Sequence, residues 1–189
     1  MTNPFGTYAN WTAPRRLPWL LGLSALILTL DRLTKDWVTI RIPMYGAIPV
    51  IPHFLRISHW TNDGAAFSLF AGSASPNIVR WTLTTFGCCL VVAVLCALTY
   101  LGNRFTLITV ALAFVLGGAL GNLHDRILYG SVIDFIEVHI FSYHWPDFNI
   151  ADSAVVTGAC LIFLETMLSK GREKSQETGN REQGSGNRE

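Results

Sequence analysis

The chain has 189 residues, of which 50% are hydrophobic and only 14% charged, with a formal net charge of +1. A soluble domain carries roughly 25% charged residues, so the composition points to a membrane protein of a single domain. So small a net charge offers no electrostatic basis for a nucleic-acid partner, and none is expected.

The first candidate span covers 17–37 and follows Arg15-Arg16. A basic pair before an apolar run also fits a signal peptide, but Leu28-Thr29-Leu30-Asp31 offers no small-x-small cleavage site and three more apolar runs follow. It is read as a retained helix. At about 1.5 Å per residue, its uncharged part is too short for ~30 Å of hydrocarbon. Asp31 and Lys35 therefore lie in the outer part of the membrane or against other helices. Four residues apart and acid first, they share a helical face, either as a satisfied ion pair or as a pair that shapes a nearby site.

An outer loop, 38–77, comes next. Between Ile48 and Trp60 it is rich in β-branched and aromatic residues with prolines at the edge, which predicts short strands. Asn62-Asp63-Gly64 is a turn signal. The apolar, small-residue stretch 65–71 is expected to lie along the membrane surface, beside a small outward-facing sheet. Spans two and three cover 78–101 and 105–126, and Gly102-Asn103-Arg104 between them predicts an antiparallel helical hairpin. Span four covers 150–168. Beyond it, 170–189 is charged and lacks apolar residues, with Gly-Asn-Arg-Glu occurring twice, which predicts a disordered tail after a domain of residues 1–169. The expected fold is thus an all-α membrane protein of four transmembrane helices with a small sheet and a membrane-surface segment.

Basic residues set the orientation. Arg15, Arg16, Arg104, Lys170, Arg172 and Lys174 fall on one side, while the loop 127–151 has neither Lys nor Arg. The positive-inside rule makes both termini cytoplasmic and both large loops outward. The four cysteines (Cys88, Cys89, Cys96 and Cys160) all lie in apolar runs and read as small packing residues rather than a disulfide framework.

Asp134 and Asp152 then stand out, because each lies in apolar sequence at the outer face, where an ionisable group costs a few kcal/mol or more unless it has a partner or a function. Asn149-x-x-Asp152 resembles a capping box at the start of span four. Capping alone would explain Asp152, and the positive helix end favours a charged carboxylate there in either case. Asp134, between Ile133 and Phe135, has no such support. If the two approach each other, repulsion and desolvation leave them one shared proton near neutral pH, which is what an aspartic peptidase requires.

Span three carries Gly117-x-x-x-Gly121, a close-packing signature, and the stripe runs into Asn122, Asp125 and Arg126. The Arg126 guanidinium could hold a carbonyl or carboxylate. His124, His139 and His144 lack metal-ligand spacing and read as interfacial or solvated, so no metal or other cofactor is expected. The serines lack a nucleophile motif. A small transporter or a scaffold with purely structural acids are the competing classes, though the inverted repeats and broken helices of many transporters are not visible.

Five blocks in order resemble the lipoprotein signal peptidase (type II signal peptidase) family: Asp31-x-x-x-Lys35, Asn62-x-Gly64-Ala65-Ala66-Phe67-Ser68, Gly117-Gly118-Ala119-x-Gly121-Asn122-x-x-Asp125-Arg126, Val132-x-Asp134-Phe135 and Phe148-Asn149-x-Ala151-Asp152. The resemblance implies an aspartic endopeptidase of the bacterial inner membrane. Such an enzyme removes signal peptides from prolipoproteins whose cysteine carries diacylglycerol. It makes Asp134 and Asp152 the catalytic pair, rather than the more conspicuous Asp125. Asn62, Gly64, Asn122, Asp125, Arg126 and Asn149 become substrate-binding or supporting residues, and Asp31 with Lys35 a structural pair. The expected partners are the lipid-modified substrate and membrane lipids, on a monomer. The stretch 65–70 is expected to clamp the lipidated chain.

Overall fold

The computed structural model describes residues 15–64 and 76–186, with side chains as far as residue 171. In chain order its elements are α1 (Leu17–Arg41), β1 (Ala47–Ile51), β2 (Leu55–Asn62), α2 (Pro76–Leu101), α3 (Leu107–Leu128), β3 (Val132–Ile140), β4 (Tyr143–Phe148) and α4 (Ile150–Gly186). Four helices are long and apolar enough to cross a membrane: Leu17–Arg41, Asn77–Leu101, Leu107–Leu128 and Ile150–Gly171. The expected membrane-surface segment, 65–71, lies outside the described residues.

Local chemistry sets the helix ends. Pro18 sits in the first turn of α1, where its missing N–H costs nothing. At the other end Ile42 turns extended, as the residue before Pro43 prefers. Thr106 and Thr109 cap α3 reciprocally, each side-chain oxygen accepting from the other's backbone N–H. The α4 helix continues through Gly186, past the predicted end near 168 and into the segment for which composition predicted disorder. A span already helical needs no new nucleus, and the Lys, Arg, Glu and Gln residues that follow propagate a helix well.

α3 is the axis of the bundle. Buried side chains make up 56% of its apolar window, against 17–22% for the other three helices, and it contacts all of them. Its glycines explain how. A Cβ on Gly117 would lie 2.8 Å from Ile27 Cβ and from the Ser24 carbonyl of α1, and one on Gly118 would lie 2.3 Å from the Ala151 carbonyl of α4. Gly158 of α4 returns the contact, its absent Cβ falling 2.7 Å from the Ala111 carbonyl. The small-residue stripe thus works on two neighbours at once. Leu20, Val94, Leu98, Ala113 and Leu116 fill the space between α1, α2 and α3. The four cysteines are not packed inside but exposed on the apolar outer surface of the helices.

The sheet draws on both large loops between the helices. Its order is β1-β2-β3-β4, antiparallel throughout. β1 and β2 fall where strands were predicted. β3 and β4 occupy a loop that the charge pattern alone had made a connector, and the β2–β3 ladder staples the two loops together. Phe135 packs on Val38 and Ile42 at the end of α1, seating the sheet on the bundle.

A buried charge cluster joins three of the helices. Lys35 Nζ lies 2.8 Å from Asp31 Oδ2, 2.8 Å from Asp125 Oδ2 and 3.2 Å from Asn122 Oδ1, with all of Lys35, Asp31 and Asp125 fully buried. Asp31 Oδ1 accepts the Ala151 N–H at the start of α4, 3.0 Å away. Asp125 Oδ1 pairs with Arg32, so two cations face two carboxylates. Removing one partner strands a buried charge, so K35M should lower unfolding stability by about 3–5 kcal/mol. Gly118→Val should cost at least about 1–3 kcal/mol through overpacking. Gly22→Ala, with nothing within 4 Å of the new Cβ, should be close to neutral. Denaturation of the purified chain in detergent compares the three.

Candidate active site

A cavity of about 430 Å³ opens where α2, α3 and α4 meet the sheet. Leu83, Phe86, Leu90, Leu123, Val155 and Val156 make its apolar wall, and Asn62, Asn122, Arg126, Asp134, Asp147 and Asp152 make its polar end. The structure brings Asp134 and Asp152 to this one space from a strand and a helix start.

The β2–β3 register delivers Asp134. Asn62 pairs with Val132, so its side chain reaches the diagonal neighbour Asp134, donating from Nδ2 to Oδ2 at 3.0 Å. Gly64 N–H donates to Asn62 Oδ1 at 3.1 Å, which turns the amide so that its NH₂ faces the carboxylate. From the other side Asn149 Nδ2 donates to Asp134 Oδ1 at 2.7 Å. Asp134 is only 4% exposed. Burial, with the charge of Asp152 nearby, pushes its carboxyl up from the ordinary 3.8 to about 7, against the two amide hydrogen bonds.

The capping geometry expected at span four is present. Asp152 N–H donates to Asn149 Oδ1 at 2.9 Å, and Asn149 N–H returns to Asp152 Oδ2 at 3.3 Å. Capping occupies one oxygen only. The other, Oδ1, accepts from Asn122 Nδ2 at 2.7 Å and lines the cavity. Asn122 has its orientation imposed from behind, because its Oδ1 accepts from both Lys35 Nζ and Asn149 Nδ2, each at 3.2 Å. The cap and the site are thus one arrangement, and the two readings of Asn149-x-x-Asp152 do not exclude each other.

Asp125 behaves differently. Both of its oxygens are held by cations, it is fully buried, and it does not line the cavity. Asp31 and Lys35 stand behind the polar end rather than in it. Arg126 does line the cavity, within electrostatic reach of Asp152 and Asp134, and no hydrogen bond engages its guanidinium among the described residues.

Several contributors escape a reading of the sequence. Arg80, at the start of α2, donates to the carbonyls of Arg126 and Ile127 at 3.1 and 2.9 Å, so a cation caps the last turn of α3. A cation just inside an apolar run was its only signal. Arg32 neutralises Asp125 and also meets His124 Nδ1 at 2.8 Å. Asp147, which matches no motif, lines the cavity. His139 and His144, read as interfacial or solvated, are partly exposed, and the unforeseen β3–β4 hairpin also brings them beside Glu137.

The family profile of Signal peptidase (SPase) II matches residues 23–168. A lipoprotein signal peptidase of Alteromonas mediterranea is 40% identical over 159 residues, 84% of this chain and 85% of the relative. One from Ectopseudomonas mendocina is 45% identical over 154 residues, 81% and 89% of the two chains. A solved bacterial membrane enzyme superposes with a TM-score of 0.74 at 28% identity, covering 85% of this chain and 94% of its own. A second superposes with a TM-score of 0.63 at 31% identity, covering 82% and 96%. A profile reaching from α1 into α4, relatives matched along most of their length and a shared fold make one statement: the chain belongs to the signal peptidase II family.

Proposed function

We propose that this protein is an aspartic endopeptidase that removes signal peptides from diacylglyceryl-modified prolipoproteins at the outer leaflet of the bacterial inner membrane. One observation carries the reading. Two aspartates face one cavity in different environments, and burial has lifted one of them, Asp134, to about 7. Asp152 takes the role of base. The hydrogen bonds it accepts come from N–H groups of Asn122 and of the α4 terminus. It removes a proton from water as the oxygen attacks the scissile carbonyl. Asp134, protonated, gives its proton to the carbonyl oxygen. As the tetrahedral intermediate collapses, the C–N bond breaks and the amine leaves with a proton from the dyad. Asn62, Asn122 and Asn149 hold the carboxylates, and Arg126 is free to bind a substrate carbonyl.

The cavity suits such a substrate. Its apolar wall on α2 and α4 receives the hydrophobic signal segment, and its polar end receives the scissile bond. A diacylglyceryl group leaves the bilayer only at about 0.8 kcal/mol per CH₂, so the catalytic groups must come to the membrane. Both termini are cytoplasmic in this reading, and the sheet faces outward. Residues 1–169 act as one peptidase domain and as a monomer.

Asp134→Asn and Asp152→Asn should each cut cleavage of a lipidated precursor by about 10³-fold or more while the melting profile stays cooperative. Asp63→Asn, at an exposed unmatched acid, should stay close to wild type. Cleavage surviving in both dyad variants would defeat the proposal. Asp147→Asn is not a neutral control, because Asp147 lines the cavity. The pH profile follows from Asp134. Its proton is the acid of the reaction and is present below about 7. Deprotonation as pH rises through that value removes it, so kcat/KM should fall about tenfold per unit on the alkaline side. A rate–pH series on a lipopeptide measures the limb.

A further inference from the structure

We propose that Glu137, His139 and His144, with Asp147 as a fourth donor, bind one divalent transition-metal ion of the zinc class on the sheet, separate from the two reacting aspartates. The donor atoms of Glu137, His139 and His144 all lie within 4.8 Å of one another. Glu137 Oε1 lies 2.7 Å from His139 Nε2 and 3.8 Å from His144 Nε2, and His144 Nε2 lies 3.1 Å from Asp147 Oδ1. Ligands bonded to zinc at about 2.1 Å in tetrahedral array sit about 3.4 Å apart. The observed separations of 2.7, 3.1 and 3.8 Å bracket that value, so an ion is taken up with side-chain shifts on the order of 1 Å.

The scaffold is rigid. Glu137 and His139 are two apart on β3, which puts them on one face, and His139 lies directly opposite His144 on β4. A two-residue turn, Phe141-Ser142, joins the strands. The imidazoles are already stacked, with ring centroids 4.9 Å apart. Glu137 is 6% exposed and Asp147 is mostly buried, and among the described residues the cation paired with the cluster is Arg56, 3.3 Å from Glu137 Oε1. Two carboxylates against one guanidinium leave the cluster with an acidic excess that favours a bound dication. Two imidazoles with carboxylate oxygens are the donor set that zinc takes. The proposed hydrolysis needs no such ion, and only Asp147 is shared with the cavity.

The test uses the full chain, purified in detergent through a histidine-free tag and stripped with a chelator. Titration with Zn²⁺ by calorimetry should show one saturable site per chain, and Co²⁺ should give a tetrahedral d–d band. His144→Ala and His139→Gln should each weaken Zn²⁺ binding by at least about tenfold and abolish the cobalt band. Both side chains are partly exposed, so these variants should melt with the stripped wild type. His53→Gln, in the exposed β1–β2 turn, should bind as wild type does. Absence of saturable Zn²⁺ binding by the wild type, or equal binding by both cluster variants, would overturn the proposal. So would a loss in His53→Gln matching theirs. Failure of the peptidase reading appears separately, as cleavage retained by the dyad variants.

Discussion

A fully buried ammonium holds the polar half of this molecule together. Lys35 is shared by Asp31 of its own helix and by Asp125 and Asn122 of α3. Asp31 passes the connection on to the first turn of α4. The three charged groups Lys35, Asp31 and Asp125 have no exposed side-chain surface, so none of them has water as an alternative partner. The cluster therefore permits one relative placement of α1, α3 and α4 and forbids sliding by a turn. Gly121 lets it form, because a Cβ there would fall 2.6 Å from Asp31 Oδ2. Close backbone packing and the ion cluster are one constraint.

Asparagine amides carry that constraint to the cavity. An amide has two distinguishable ends, and each one here has its acceptor end occupied by a donor behind it. Lys35 holds Asn122 Oδ1, the Asp152 N–H holds Asn149 Oδ1, and the Gly64 N–H holds Asn62 Oδ1. Every NH₂ then points at an aspartate. Hydrogen-bond donors aimed at both carboxylates before a substrate arrives need no reorganisation during a reaction.

How much was legible in the sequence depends on the range of the signal. The four spans lie in long, mainly apolar stretches, and the observed helices match them within a few residues except at the end of α4, which runs on to Gly186. The tight Gly102-Asn103-Arg104 turn and the Asn149–Asp152 cap are local, and both were readable. β3 carries a local signal of its own, since Val132-Ile133-Asp134-Phe135-Ile136-Glu137-Val138-His139-Ile140 is dense in β-branched residues, but the acid among apolar neighbours and the lack of basic charge are the stronger features of that loop. Without β3 the sheet had no second half, and the cross-strand meeting of His139 with His144 could not be foreseen. Arg32 and Arg80 act across helices on partners far along the chain, and a single sequence carries no sign of such pairing.

The ranking of the acids shows where local reading stops. Asp125 has the denser motif, and Asp134 has only apolar neighbours. The family resemblance preferred Asp134, and the geometry supplies a physical reason. Asp125 lies between two cations, Arg32 and Lys35, and both of its oxygens are engaged by them. Asp134 has amides but no cation at hydrogen-bond distance, and it feels the charge of Asp152. Desolvation therefore outweighs hydrogen bonding at Asp134 and leaves it able to hold a proton near neutrality. The proposed acid role calls for a carboxyl group that the fold has buried without pairing it to a cation, and among the acids lining this cavity Asp134, on an inner strand and held by Asn62 and Asn149, meets that requirement.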